Sequence, residues 1–236
     1  MISQYHLPLP QKESMAAEDF FSSAANEQAR QWLVLRDPAT WPSHALVLWG
    51  PEGAGKTHLL SIWAAQRDAV FVVPDDESLD KMIAGDVPPA FVLDEADSVA
   101  GSCEKEEWLQ HFFNVTKEAG TPFLLAARKP PSLWKLALRD IETRLKSCLA
   151  VEIFEPDDDL MRGLLIKLFA DRQLRIESGV VDYLVARLER TGSALIGAVN
   201  VLDEAALETG CKISIPFAQR TLSFFQEALC QEKDKS

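Results

Sequence analysis

Gly50-Pro51-Glu52-Gly53-Ala54-Gly55-Lys56-Thr57 is the stretch of this chain best equipped for chemistry. It has the spacing G-x-x-x-x-G-K-T, and each residue type has a physical task. Glycines let the backbone curl so that successive N–H groups face one concavity, which suits an anion. Lys56 can reach the β- and γ-phosphates of a nucleotide, and the Thr57 hydroxyl can ligate Mg²⁺. A helix opening at the loop adds its positive N-terminal end to the same site. The expected nucleotide-binding residues are therefore Gly50, Pro51, Glu52, Gly53, Ala54, Gly55, Lys56, Thr57 and His58. A second constellation is Phe91-Val92-Leu93-Asp94-Glu95, an apolar run ending in two carboxylates. Beside a phosphate loop, Asp94 would hold Mg²⁺ through water and Glu95 would orient or activate the attacking water.

Such residues need a frame. The loop pattern requires a strand before it and a helix after it, and Ala45 to Trp49 and His58 to Ala65 have those characters. Further apolar runs at Val70 to Val73, Ala90 to Leu93, Pro122 to Ala126 and Ala150 to Ile153 read as strands. Helical spacing occupies Asn26 to Asp37, with Ala29, Trp32, Leu33 and Leu35 on its apolar side, then Asp75 to Ala84, and Glu104 to a glycine stop at Gly120. Strands alternating with helices imply a mostly parallel five-stranded α/β sheet covered on both faces. Carboxylates and phosphate loop would then meet at the C-terminal edge of the strands.

Beyond Pro156-Asp157-Asp158-Asp159 the pattern is helical only. Asp157 is a candidate N-cap for a helix carrying Leu160, Met161, Leu164, Leu165, Leu168 and Phe169. Val180 to Leu188, then Leu195, Val199, Leu202 and Leu207, mark two more. A last helix starts near Pro216, with Phe217, Leu222, Phe225 and Leu229 inward. The expected organisation is an extended tail over 1–19, an α/β nucleotide-binding domain over 20–155, and a small all-α lid over 156–236.

Composition sets limits. The chain has 236 residues, 47% hydrophobic and 25% charged, as in an ordinary globular protein. Its net charge of −12, from 24 basic and 36 acidic residues, disfavours extensive contact with nucleic-acid phosphates. Cys103, Cys148, Cys211 and Cys230 are scattered and suggest thiols in a reducing cytoplasm rather than a metal site. The N-terminus lacks a signal-peptide pattern, and no apolar run approaches a membrane span. Within the tail, Gln4-Tyr5-His6-Leu7-Pro8-Leu9 reads either as a terminus without function or as an extended peptide that docks in a partner's groove.

Taken together, a phosphate loop, an Asp-Glu strand and a helical lid resemble the AAA+ P-loop NTPases, within them the DnaA group, and most closely the Hda family of short DnaA-related regulators. Phe20-Phe21 with Asn26-Glu27-Gln28-Ala29 is similar to the entry motif before the nucleotide domain. Lys129-Pro130-Pro131, Thr143-Arg144-Leu145 and Lys212-Ile213-Ser214-Ile215-Pro216-Phe217 resemble later motifs of the group, the last pointing to Hda. The resemblance implies binding of ADP or ATP with Mg²⁺. It also implies docking on the DNA polymerase III sliding clamp through Gln4, Leu7 and Leu9, with DNA met through the clamp. Tyr5 stands where the family usually has leucine. It further implies that Arg144 acts in trans as an arginine finger that promotes hydrolysis of DnaA-bound ATP, inhibiting re-initiation. The alternative for Arg144 is a surface arginine paired with Glu142 or Asp140. A DNA-binding domain after the lid, as in DnaA, is not expected here. Monomer and homodimer both stay open.

Two departures from the group bear on the chain's own hydrolysis. Where a polar residue normally meets the γ-phosphate or the attacking water, this chain has Ala126-Ala127-Arg128, so Arg128 substitutes or the contact is missing. The arginine normally supplied by the third lid helix is replaced near Ile196, with Arg190 the candidate replacement. The alternative function is an autonomous AAA+ ATPase, a loader or DnaA-like initiation factor, with Glu95 as its base-like residue.

Overall fold

A computed structural model describes residues 23–74 and 87–223. The tail motif with Gln4, Leu7 and Leu9, the expected helix at Asp75 to Ala84, and Phe225, Leu229 and Cys230 lie outside the described residues.

Five parallel strands form one sheet: β1 (Ala45–Trp49), β2 (Val70–Phe71), β3 (Phe91–Leu93), β4 (Phe123–Ala127) and β5 (Leu149–Glu152). Their order is β2-β3-β4-β1-β5. The side-chain period of two divides the sheet into two apolar faces. Ala45, Val47, Phe91, Leu93, Phe123 and Leu125 pack on one side against Trp108, Phe112 and Phe113 of α3 (Cys103–Ala119) and Ile141 and Leu145 of α4 (Arg139–Ser147). Leu46, Leu48, Val92, Leu124 and Ala126 pack on the other against Ala29 and Leu33 of α1 (Glu27–Leu33) and Leu59, Leu60 and Trp63 of α2 (Lys56–Arg67). Burial on both faces explains why the central strands read as unbroken apolar runs.

Helices α5 (Asp158–Asp171), α6 (Val180–Val185) and α7 (Gly192–Thr209) follow. Residues 215–223 are also helical. They enclose a separate apolar cluster that includes Met161, Leu165, Phe169, Leu184, Val199 and Phe217. Asp157 caps α5 as expected, its Oδ1 accepting from the Leu160 N–H at 2.8 Å. Among the described residues no helix is long and apolar enough to cross a membrane.

Four sequence expectations are corrected. The first helix stops at Leu33 rather than Asp37, leaving Leu35 62% exposed. Asp37 precedes Pro38, which favours extended backbone there, and its side chain caps the next turn instead. The second strand is only Val70–Phe71; at the sheet's edge Val73 faces outward. The second lid helix ends at Val185, short of Leu188. Leu207, near the end of α7, is 61% exposed, while Ala205 and Ala206 before it pack against the lid cluster.

Candidate functional site

Register builds the site. Trp49 of β1 pairs with Ala127 of β4 and Glu152 of β5, while Leu93 of β3 pairs with Leu125. The residues that follow, Gly50, Arg128, Asp94 and Glu95, therefore converge at the C-terminal edge. Gly50 has no room for a side chain, since a Cβ would lie 2.1 Å from the Ile153 carbonyl oxygen. Gly53 and Gly55 take left-handed backbone, with φ of 77° and 89°. Gly55 is the N-cap of α2 and has no side chain with which to cap Lys56 and Thr57, and a Cβ there would meet only open space. An exposed helix start with open room before it suits an anionic group.

Lys56 Nζ donates to the carbonyls of Gly50 at 2.8 Å and Pro51 at 2.6 Å. Desolvation lowers its pKa, opposed by the charges of Asp94, Asp97 and Glu52. Thr57 Oγ1 donates to Asp94 Oδ2 at 2.6 Å. That contact turns the hydroxyl proton toward the carboxylate and leaves oxygen lone pairs for a hard cation, so Thr57 and Asp94 fit Mg²⁺ accompanying a nucleotide. Asp94 Oδ1 accepts from the Glu95 N–H at 2.8 Å.

Glu95 sits in left-handed backbone, φ 48° and ψ 40°. Its Oε1 accepts from Arg128 Nη2 at 3.0 Å, Arg128 Nη1 lies 3.7 Å from Glu52 Oε2, and the Arg128 N–H donates to Asp97 Oδ2. The Glu95 hydrogen bond, then the charge of Glu52, holds the Arg128 guanidinium in its charged form. Arg128 thus bridges the loop to the strand carboxylates.

The helical part touches the loop directly. Gly192 N–H points at the Gly53 carbonyl at 3.4 Å, and a Cβ on Gly53 would lie 2.3 Å from Thr191 Cγ2. Thr191 caps α7, accepting from the Ala194 N–H. Arg190 is engaged elsewhere: it donates to the Pro156 carbonyl at 3.1 Å and to Asp158 Oδ1 at 2.5 Å. These contacts secure the turn into α5. Ile196 lies half-buried on α7, and the part of α7 that meets the loop is its N-terminus, Thr191 and Gly192. A threonine before a small-residue helix start was the available signal.

Arg144 lies away from all of this. It lines a cleft of about 160 Å³ with Ser43, Phe113, Lys117, Asp140 and Ser147. Ser43 and Ser147 precede β1 and β5, so the cleft is at the N-terminal edge of the sheet, one strand length from the phosphate loop. Arg144 Nε donates to Asp140 Oδ2 at 2.8 Å, whereas Glu142 takes Lys146. Gln110 Nε2 of α3 donates to the same Asp140 oxygen at 2.9 Å. One turn earlier on α3, fully buried Glu106 accepts from the N–H groups of Gly101, Ala137 and Leu138, tying down the start of α4. Glu106 falls on the apolar face of its helix, a pattern visible in the sequence; Gln110 carried no such mark.

Residues 158–222 match the family described as the Hda lid domain. An uncharacterised protein of Haemophilus influenzae is 25% identical over 232 residues, spanning 94% of this chain and all of that one. Domain III of the replication initiation protein DnaA from Thermotoga maritima superposes with a TM-score of 0.76 at 19% identity, over 92% of this chain and 99% of that one. AMPPCP-bound DnaA from Aquifex aeolicus gives 0.69 at 17% identity, over 91% of this chain and 70% of that one. At these identities the superpositions establish the fold, and the lid match refines it. The chain thus has the fold of DnaA domain III, and its helical part, residues 158–222, matches the Hda lid domain.

Proposed function

We propose that the protein is a nucleotide-binding regulator of chromosomal replication initiation that acts on DnaA. Its phosphate loop, with Lys56 and Thr57, holds ADP or ATP, and Asp94 supports Mg²⁺ through Thr57. The nucleotide sets the angle between the α/β domain of residues 20–155 and the lid of residues 156–236, which meet at Gly53 and Thr191. Gln4, Leu7 and Leu9 dock the chain on the sliding clamp, and Arg144 enters the ATP site of DnaA to promote hydrolysis there.

The observation that carries this reading is the location of Arg144. It shares a cleft with Ser43 and Ser147 at the edge opposite the chain's own loop, so a phosphate it meets belongs to another molecule. A guanidinium keeps its charge and its two-pronged geometry at any cellular pH. A finger of this kind is worth about 10³–10⁵ in hydrolysis rate. The chain's own hydrolysis is disfavoured, because Glu95, the group that would orient water, is paired with Arg128.

The test is hydrolysis of DnaA-bound ATP in the presence of DNA-loaded clamp and this protein. Wild type accelerates it, while Arg144→Ala and a chain lacking residues 1–10 do not. If Arg144→Ala stimulated as well as wild type, the finger role would be wrong. If turnover by the isolated protein were fast and vanished in Glu95→Gln, the autonomous ATPase reading would replace this one.

A further inference from the structure

An i,i+4 ion pair on a helix surface is ordinary, and α4 offers two for comparison. Glu142–Lys146, at 2.7 Å, joins two exposed side chains on one helix. Asp140–Arg144 differs in three respects. The Arg144 side chain is only 29% exposed, and it lines a cleft with the buried ring of Phe113. Its carboxylate partner is held from a second helix, since one oxygen, Asp140 Oδ2, accepts from both Arg144 Nε and Gln110 Nε2. And the contact uses Nε alone. Among the described residues no hydrogen bond engages either terminal nitrogen, the pair that grips a phosphate.

We propose that Asp140, oriented by Gln110, is a positioning residue that presets Arg144 for a partner's phosphate. This rests on the finger role given to Arg144 above. Arginine has many rotamers, and one already fixed loses less freedom on reaching the transition state. Asp140 fixes the guanidinium at Nε while leaving Nη1 and Nη2 for the incoming oxygens. Gln110 keeps Asp140 from swinging toward solvent, and Glu106, one turn away on the same helix, keeps α4 in register with α3. A carboxylate in this place does not quench the finger; it aims it.

The experiment uses the full chain with DNA-loaded clamp and DnaA-ATP, measuring the maximal stimulated rate and, separately, the protein concentration giving half of it. Asp140→Ala is expected to lower the maximal rate roughly tenfold with the half-maximal concentration unchanged, a cost confined to the chemical step. Asp140→Asn keeps an oxygen that can accept from both partners and should stay within about threefold of wild type. Gln110→Ala should fall between, and Glu142→Ala should match wild type. Asp140→Ala stimulating as well as or better than wild type, while Arg144→Ala does not stimulate, would overturn the proposal. So would a loss in Asp140→Ala that appears only as a weaker half-maximal concentration or a lowered unfolding temperature. If Arg144→Ala itself stimulates normally, the finger reading fails first, and that result is distinct from every Asp140 outcome.

Discussion

Replacing Gly53 by alanine should do more harm than replacing Gly55, although both glycines lie in the same loop with left-handed backbone. Left-handed geometry costs an alanine about 1–2 kcal/mol, and both variants bear it. At Gly55 nothing lies within 4 Å of the new methyl, so the cost ends there. At Gly53 the methyl would sit 2.3 Å from Thr191 Cγ2 and 2.6 Å from Thr191 Cβ. Rotating Thr191 moves Cγ2 but not Cβ, and it gives up the 3.2 Å bond that caps α7, worth about 1 kcal/mol. The other relief is for α7 to retreat, losing the contact between Gly192 N–H and the Gly53 carbonyl at a further cost of about 1 kcal/mol. Gly53→Ala should therefore destabilise by about 3 kcal/mol and Gly55→Ala by about 1.5 kcal/mol, roughly a tenfold difference in the unfolding constant. Urea unfolding midpoints read the difference, and amide exchange in the first turn of α7 should speed up only in Gly53→Ala. Thr191→Gly, which removes both obstructing atoms, should restore most of the excess. Equal destabilisation by the two alanines, with unchanged exchange at residues 192–195, would refute the steric reasoning.

Two further outcomes are expected. Glu106→Ala strips three backbone N–H groups of a buried carboxylate and should cost about 3–5 kcal/mol, while Glu106→Gln, which keeps an oxygen for two of them, should cost about 2 kcal/mol. Urea unfolding checks this, and a loss below about 1 kcal/mol for the alanine would show that the contacts are dispensable. Burial pushes the Cys148 thiol from 9.0 up to about 12, so at pH 8.5 a thiol reagent should label Cys103 and Cys211 on mass mapping but spare Cys148 until the protein unfolds. The unfolded chain loses that proton first, so the stabilisation is complete below pH 9 and is lost as pH rises toward 12. Cys148→Ala should flatten stability over that window, and an unchanged slope would count against the assignment.

The sheet was legible because strands buried on both faces need unbroken apolar runs, and Ala45 to Trp49 and Phe123 to Ala127 have them. Edges were harder. Val70 to Val73 is apolar throughout, yet only Val70–Phe71 pairs, because an edge strand has one neighbour and that neighbour is short. Leu35 keeps helical spacing where the helix has ended, and Leu207 keeps it on a side left exposed; spacing reports phase and is silent about what lies opposite. The candidate phosphate loop, Gly50 to Thr57, stood out for the opposite reason, since its parts are contiguous. Arg128 with Glu95 and Gln110 with Asp140 are separated by 33 and 30 positions, and only the fold brings them within hydrogen-bonding distance.

The separation between the phosphate loop and Arg144 has a consequence for assembly. The loop is at the C-terminal edge of the sheet and Arg144 at the N-terminal edge, so on the proposed reading the molecule has a polarity, with a socket at one end and a plug at the other. A two-fold symmetric pair seats each plug in the other's socket only where both lie on one shared face of the molecule. On the proposed reading, contact through Arg144 is head-to-tail, with ends that are not equivalent. A chain that inserts its plug into DnaA still has its own socket open. Which end it occupies in a row of related subunits decides whether it terminates the row or is passed over.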